Sequence, residues 1–214
     1  MKDATALAAL GEPHGTVVVA ETQTAGIGRH GHSWHSGPDG GLYMSMILRL
    51  PAPGPTVTMA LGLAVQRAVD ENAGVSTDLR WPNDVMLNDR KLAGIMVQAA
   101  DTALIAGIGV NVNQQRFPPD LASIATSLRI ETGREHSKDA LLERIVAESL
   151  RYARLGKHQI LRRFEERSSY VRGKAVEVDG RIRGVTAGLD PDGFLLLQTS
   201  AGIEKIVAGG VRPV

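Results

Sequence analysis

The chain has no cysteine, which excludes disulfides and thiolate metal sites and leaves cysteine usage silent on compartment. Aromatic residues supply only 4% of it, so a packed interior has to be built from Leu, Val, Ile, Ala and Met. Neither sign of charge is in surplus, with 24 basic residues against 23 acidic ones. A polyanion partner calls for a basic surplus, and no nucleic-acid partner is expected. No apolar run reaches the ~20 residues that span a bilayer. The opening Met1-Lys2-Asp3-Ala4-Thr5 lacks the apolar core of a signal peptide. These absences point to a cytoplasmic protein with no membrane partner. What is present suits one medium domain with a small appendage: 214 residues, 43% of them hydrophobic.

Asp3 caps a short predicted helix that Gly11 ends. Val17 to Ala20 reads as a buried strand. Leu42, Met44, Met46 and Leu48 alternate with Tyr43, Ser45 and Ile47 along a second strand. Thr56 is the expected cap of a helix whose apolar stripe runs Val57, Leu61, Val65, Ala68 and Val69, with Gly74 as its stop. Leu79 to Leu87 and Arg90 to Val97 read as two antiparallel strands about an Asn88-Asp89 turn. Ala103 to Val112 reads as a central, buried strand. Residues 114–135 read as loop. Ser137 caps a helix with Leu142, Ile145, Val146, Leu150 and Ala153 as its buried stripe. A second helix carries Ile160, Leu161 and Phe164. From Gly173 the texture changes to short strands separated by Asp179-Gly180, Asp190 to Gly193 and Ala201-Gly202. That spacing predicts a small β-barrel. The division is therefore 1–172 and 173–214, and a module as small as the second should lean on the first.

Between the first two strands lies Glu21 to Trp34, with Gly26, Gly28 and Gly31 spaced as Gly-x-Gly-x-x-Gly. A dinucleotide site needs a helix to follow, so that its N-terminus receives the pyrophosphate. Here Ser36 to Gly41 is followed by a strand, and the Rossmann reading fails on context. His30, His32 and His35 lie close together, but no cysteine or carboxylate completes a zinc set, and the metal content is left open. Lys91, taken alone, reads as a snorkelling surface residue. Asn83 and Asn111 carry both donor and acceptor, as recognition of a heterocycle requires, yet each alone fits a turn at a strand end.

Taken in order, Gln23-Thr24-Ala25-Gly26-x-Gly28-Arg29-x-Gly31-x-x-Trp34, Arg80-Trp81-Pro82-Asn83-Asp84, Lys91-Leu92-Ala93-Gly94-Ile95 and Gly107-Ile108-Gly109-Val110-Asn111-Val112 resemble the successive motifs of biotin protein ligases. The resemblance runs from the first helix to the end of the chain, and is to the short form that lacks a DNA-binding domain. It implies an α+β fold. A mixed, mainly antiparallel central sheet with flanking helices forms the catalytic domain of the biotin/lipoate ligase type, and an SH3-like β-barrel closes the chain. It also implies a reaction in which ATP, with Mg2+, activates biotin as biotinyl-5′-AMP. Biotin then passes to a lysine of the biotin carboxyl carrier protein, a subunit of acetyl-CoA carboxylase.

The resemblance implies Arg29 and Lys91 as the catalytic cations. It gives Gln23, Gly26, Ile27, Gly28 and Gly94, with those two, to the biotin side. Gly31, Trp34, Asn83, Asp84 and Asn111 fall to the ATP and adenylate side. The chain departs from the family pattern at Ile27, where a second arginine is usual, and this implies a weaker hold on the adenylate. It also opens at Met1-Lys2-Asp3-Ala4, where the family carries a Ser-Thr-Asn segment. Two rival readings are a lipoate or octanoyl transferase of the same architecture and a non-catalytic biotin-binding module. An exposed sheet edge offers a surface for a homodimer.

Overall fold

The structure is a computed structural model that describes residues 1–28, 31, 33–37, 40–50, 54–101 and 103–214. Its first half is built on one sheet. The elements are α1 (Lys2–Ala9), β1 (Val17–Ala20), β2 (Gly41–Leu48), α2 (Pro55–Ala73), β3 (Asp78–Arg80), β4 (Asp84–Leu87), β5 (Arg90–Ala100) and β6 (Ala103–Asn111). The six strands lie in the order β1-β2-β6-β5-β4-β3, and every neighbouring pair is antiparallel. The sheet expected to be mixed and mainly antiparallel has only antiparallel neighbours: α2 carries the chain from β2 over the sheet to β3 at the far edge, so these two like-directed strands never lie side by side.

Apolar residues on both faces of β2 explain its complete burial. Leu42, Met44, Met46 and Leu48 enter the main core under α2. On the other face Ile47 joins Ile105 and the α1 residues Ala4 and Ala8 in a smaller core. Small side chains on α1 let that short helix lie close to the sheet.

Four sequence expectations about the helices are corrected. Helix α1 begins at Lys2 with Met1 at its cap, so Asp3 lies in the first turn and does not cap it. The second helix begins at Pro55, with Gly54 and not Thr56 at its cap. Proline suits the first helical turn because its fixed φ is already helical and an N–H there would be unpaired. Within 114–135 a short helix, α3 (Leu128–Thr132), forms between Ser127, whose hydroxyl accepts from Ile130 N, and Gly133 in the left-handed conformation. In α4 (Lys138–Tyr152) the Ser137 cap is as expected, but the inward face is Leu141, Ile145, Glu148, Ser149 and Tyr152. The expected stripe stands about one position off, leaving Leu142 and Val146 at its margin. Polar Glu148 is drawn inward by Arg67, Arg144 and Arg151, a pattern apolar periodicity does not register. Helix α5 (Lys157–Glu166) buries Ile160 and Phe164.

The stretch read as a single strand from Leu79 to Leu87 is a hairpin of β3 and β4. The turn between them holds a cis Trp81–Pro82 bond, and Pro82 has no N–H to offer a ladder.

The C-terminal unit contains β7 (Arg172–Val178), β8 (Ile182–Leu189), β9 (Leu195–Thr199), β10 (Gly202–Ile206) and β11 (Val211–Pro213). Its order is β10-β9-β8-β7-β11. The expected barrel is instead an open five-stranded sheet: β10 and β11 stand at opposite edges and do not pair. Strand β11 was not anticipated; it holds only three residues, one of them a proline. The sheet leans on the larger unit. Trp81 Nε1 donates to Gly193 O at 2.9 Å, Leu189 N to Glu165 Oε1 at 2.8 Å, and Lys157 Nζ to Asp192 Oδ1 at 2.6 Å. Among the described residues no helix is long and apolar enough to cross a membrane.

Candidate functional site

A pair of glycines makes the floor. Gly94 on β5 stands opposite Gly109 on β6, and the indole of Trp34 lies over both. A methyl on Gly109 would come within 2.8 Å of the indole ring, and one on Gly94 within 3.0 Å of it and 3.1 Å of Lys91 Cε. The close approach these glycines allow is therefore made by the protein's own Trp34 and Lys91. The loop that carries Trp34 is folded back on itself. Trp34 N donates to Gly26 O at 2.8 Å, Ile27 bridges Ser33, and Ser36 Oγ donates to Gln23 Oε1 at 3.0 Å. Gly26 is confined within this fold: a methyl there would stand 2.4 Å from Trp34 O. The Trp34 indole N–H is buried and meets no acceptor among the described residues.

One wall is an ion cluster. Asp84 at the start of β4 receives Arg80 Nη2 on Oδ2 at 2.7 Å and Lys91 Nζ on Oδ1 at 2.6 Å. Burial by itself would raise the Asp84 carboxyl. The Lys91 and Arg80 charges and their hydrogen bonds outweigh it and hold the group below the ordinary carboxylate range. The Lys91 ammonium also lies 5.4 Å from the Trp34 ring centre, within cation–π reach. Its ammonium thus turns into the cavity wall and not out to solvent, against the surface reading. Two cations on one carboxylate leave a net positive charge facing the cavity.

Asparagines hold the backbone around this wall. Asn83 donates from Nδ2 to Ile95 O at 3.0 Å, while Ile95 N donates back to Asn83 O at 2.9 Å. Buried Asn111 accepts on Oδ1 from Gln114 Nε2 at 3.1 Å. The segment 124–126 runs beside β5: Lys91 N donates to Ile124 O at 2.8 Å and Thr126 N to Lys91 O at 3.0 Å.

These parts surround an open cavity of about 900 Å3, and Gly28, Trp34, Asn83, Asp84, Lys91 and Asn111 all line it. It lies within the usual ~300–1,000 Å3 range of small-molecule sites. Of the other residues singled out in the sequence, Gly94 sits beneath the indole, and Gln23 and Gly26 lie behind Trp34 in the same loop. Ile27 is 61% exposed, and Gly31 is exposed with a positive φ of 77°. Arg29, the expected partner of Lys91, lies outside the described residues, as do His30 and His32. No group of three metal-binding side chains occurs among the described residues.

The sequence motifs missed two parts of the lining. Phe117, Leu121 and Ile124 form an apolar lip, and Arg181 and Arg212 add charge from the C-terminal sheet. The Pro118-Pro119 loop and the glycines at 180, 209 and 210 were the available signals, but nothing in one dimension places them opposite Lys91.

The profile of the biotin/lipoate A/B protein ligase family matches residues 7–114, and that of the biotin protein ligase C-terminal domain matches residues 173–211. The bifunctional ligase/repressor BirA of Bacillus subtilis is 37% identical across 99% of this chain and 70% of its own length. A biotin–[acetyl-CoA-carboxylase] ligase of Mycobacterium tuberculosis is 31% identical over 92% of this chain and 78% of its own. Among solved structures, the biotin protein ligase of Aquifex aeolicus in complex with biotin and ATP superposes with a TM-score of 0.87. It is 30% identical and covers 95% of this chain and 91% of that one.

Proposed function

Because this chain belongs to the biotin/lipoate A/B protein ligase family, we propose that it is a biotin–[biotin carboxyl-carrier protein] ligase. In this reading the biotin carboxylate attacks the α-phosphorus of ATP, the bond to pyrophosphate breaks, and biotinyl-5′-AMP forms. The ε-amine of a carrier lysine then attacks the acyl carbon. An amide forms, AMP leaves, and the amine gives up a proton. The carrier is a biotin carboxyl carrier protein of the acetyl-CoA carboxylase kind, and the setting is the cytoplasm.

The single observation that carries the reading is the cationic wall made by Arg80 and Lys91 on one buried carboxylate, facing a cavity that Trp34 also lines. Carboxylate and triphosphate are both anions, and fixed positive charge is what brings them together and stabilises the charge that builds up in transfer. Lys91 supplies that charge, joined by Arg29. Gln23, Gly26, Ile27, Gly28 and Gly94 fall on the biotin side, and Gly31, Trp34, Asn83, Asp84 and Asn111 on the nucleotide side. Asp84 acts there chiefly by holding Lys91 and Arg80 in place. Magnesium enters with the ATP phosphates as part of the substrate, and it fits that role because Asp84 is already committed to two cations. Residues 1–172 form the catalytic unit, and 173–214 close the far wall of the cavity. Strands β1 and β3 are the edges of the larger sheet; residues 168 and 169 cover β3, so a homodimer would form along β1.

The test is incubation with ATP, magnesium, labelled biotin and a carrier domain. Label in an amide on the carrier lysine is the expected result. Biotin bound but never transferred supports a binding module. Transfer of lipoate or octanoate alone overturns the proposal.

A further inference from the structure

Glu131 belongs to none of the sequence motifs and does not line the cavity, yet its side chain gathers three donors, Thr126, Arg90 and Asn88, where Asp84 gathers two cations. It sits on α3 with its side chain only 9% exposed. Its Oε1 accepts from Thr126 Oγ1 at 2.5 Å and from Arg90 Nη2 at 2.7 Å, and its Oε2 accepts from Asn88 Nδ2 at 2.6 Å. Burial would raise this carboxyl, but those hydrogen bonds and the Arg90 charge more than offset it and keep the group ionised.

Each of the three donors adjoins Lys91 in a different way. Arg90 precedes it in the chain. Asn88 opens the two-residue turn, in which Asn88 and Asp89 both take positive φ, 50° and 60°. Thr126 pairs with it directly, donating its N–H to Lys91 O, while Lys91 N donates to Ile124 O. The turn is also held from the far side by Tyr170 Oη on Asp89. The backbone of Lys91 is thereby clamped between a turn and a loop, and both are tied to one carboxylate.

We infer that Glu131 is a positioning residue for Lys91: it locks the 88–90 turn to the 124–126 segment and so fixes where the Lys91 ammonium stands beside Asp84. The kinetic consequence rests on the ligase reading above. A misplaced cation weakens a transition state more than it weakens ground-state binding, and displacements of about 1 Å are enough to slow a reaction strongly. An ordinary exposed ion pair contributes little; Glu131 differs because its loss strips buried Thr126 of an acceptor and frees Asn88 and Arg90 to turn to solvent, so that the turn and the loop are no longer tied to one group.

The experiment compares the wild type with Glu131→Ala and Glu131→Gln in the full chain, using two readouts. The first is biotin-dependent exchange of pyrophosphate into ATP. The second is hydrogen exchange at the Lys91 and Thr126 amides, which needs no catalysis. Glutamine keeps an acceptor for Thr126 and Arg90, so Glu131→Gln is expected to stay within about threefold of wild type. Glu131→Ala should lose about tenfold in kcat with both KM values within about twofold, and its two amides should exchange faster. Wild-type kcat in Glu131→Ala, or equal losses in the alanine and glutamine variants, overturns the inference. Should the wild type form no adenylate, the ligase reading fails separately and amide exchange still decides: unchanged rates in Glu131→Ala overturn the clamp, and faster rates support it.

Discussion

Asp84 carries two cations on one carboxylate, Arg80 on Oδ2 and Lys91 on Oδ1, each at 2.7 Å or less. Its carboxyl is held below the ordinary range. A depressed folded value means that its stabilisation is complete above the ordinary carboxylate pKa of about 4 and is lost as pH falls through the folded value. Asp84→Asn leaves Lys91 and Arg80 without a counter-charge, and we expect it to unfold about 3 kcal/mol more easily at pH 7. In urea titrations the gap between variant and wild type should narrow as pH is lowered below about 4; parallel stability curves would show that the cluster adds nothing to folding. Ile27 is the other informative residue. It is 61% exposed, so an arginine fits there without repacking. Ile27→Arg should slow release of biotinyl-5′-AMP, measured by trapping the released adenylate, and an unchanged or faster rate would count against a role for charge at this position. The motif residues around Asn83, Lys91 and Asn111 each had an ordinary reading alone, and became legible as a site through the order and intervals of the motifs they belong to. Glu131 did not, because its partners at 88, 90 and 126 are gathered by folding and not by any local spacing.

Among the elements, α2 shows how much of a helix is written in its ends. It starts on Gly54-Pro55 and stops at Gly74, which takes φ 70° and ψ 35° and donates its N–H to Asp70 O. Nothing lies within 4 Å of where a Cβ would stand on Gly74, so Gly74→Ala meets no clash and suffers only the left-handed backbone penalty, about 1 kcal/mol. Thermal unfolding should register that loss while biotin and nucleotide binding stay unchanged; a larger effect, or one on binding, would show that the helix end is coupled to the cavity. The β3–β4 hairpin and α3 were the elements hidden from periodicity. Each is too short for a periodic pattern to stand out: β3 holds three residues and α3 five. The Ser127 cap and Gly133 stop of α3 carry their own signal, readable without any apolar stripe.

On the scale of the whole molecule, the cavity exists because two sheets meet. Trp81 belongs to the turn that leads to Asp84, and its indole donates to Gly193 O of the C-terminal unit. Trp81→Phe removes part of a buried ring as well as the donor to the Gly193 carbonyl, and the two together should lower stability by about 2–3 kcal/mol. Chemical denaturation measures this, and an unchanged midpoint would mean that neither the ring nor the bond adds to stability. The succession of most strands and helices along the chain, the Gly74 stop of α2 and the Ser137 start of α4 were legible in the sequence, because apolar periodicity and caps act over short distances along the chain; the four motifs were legible through their order and spacing as a set. Tertiary structure alone decided that Gly94 and Gly109 pair to seat Trp34, that the C-terminal strands form an open sheet bordering the cavity, and that Glu131 grips both sides of Lys91. Each of these depends on register and on contacts between residues distant in sequence, which no local pattern encodes. The loop of three glycines therefore announced a site in the sequence, but its shape comes from the strand pair beneath it.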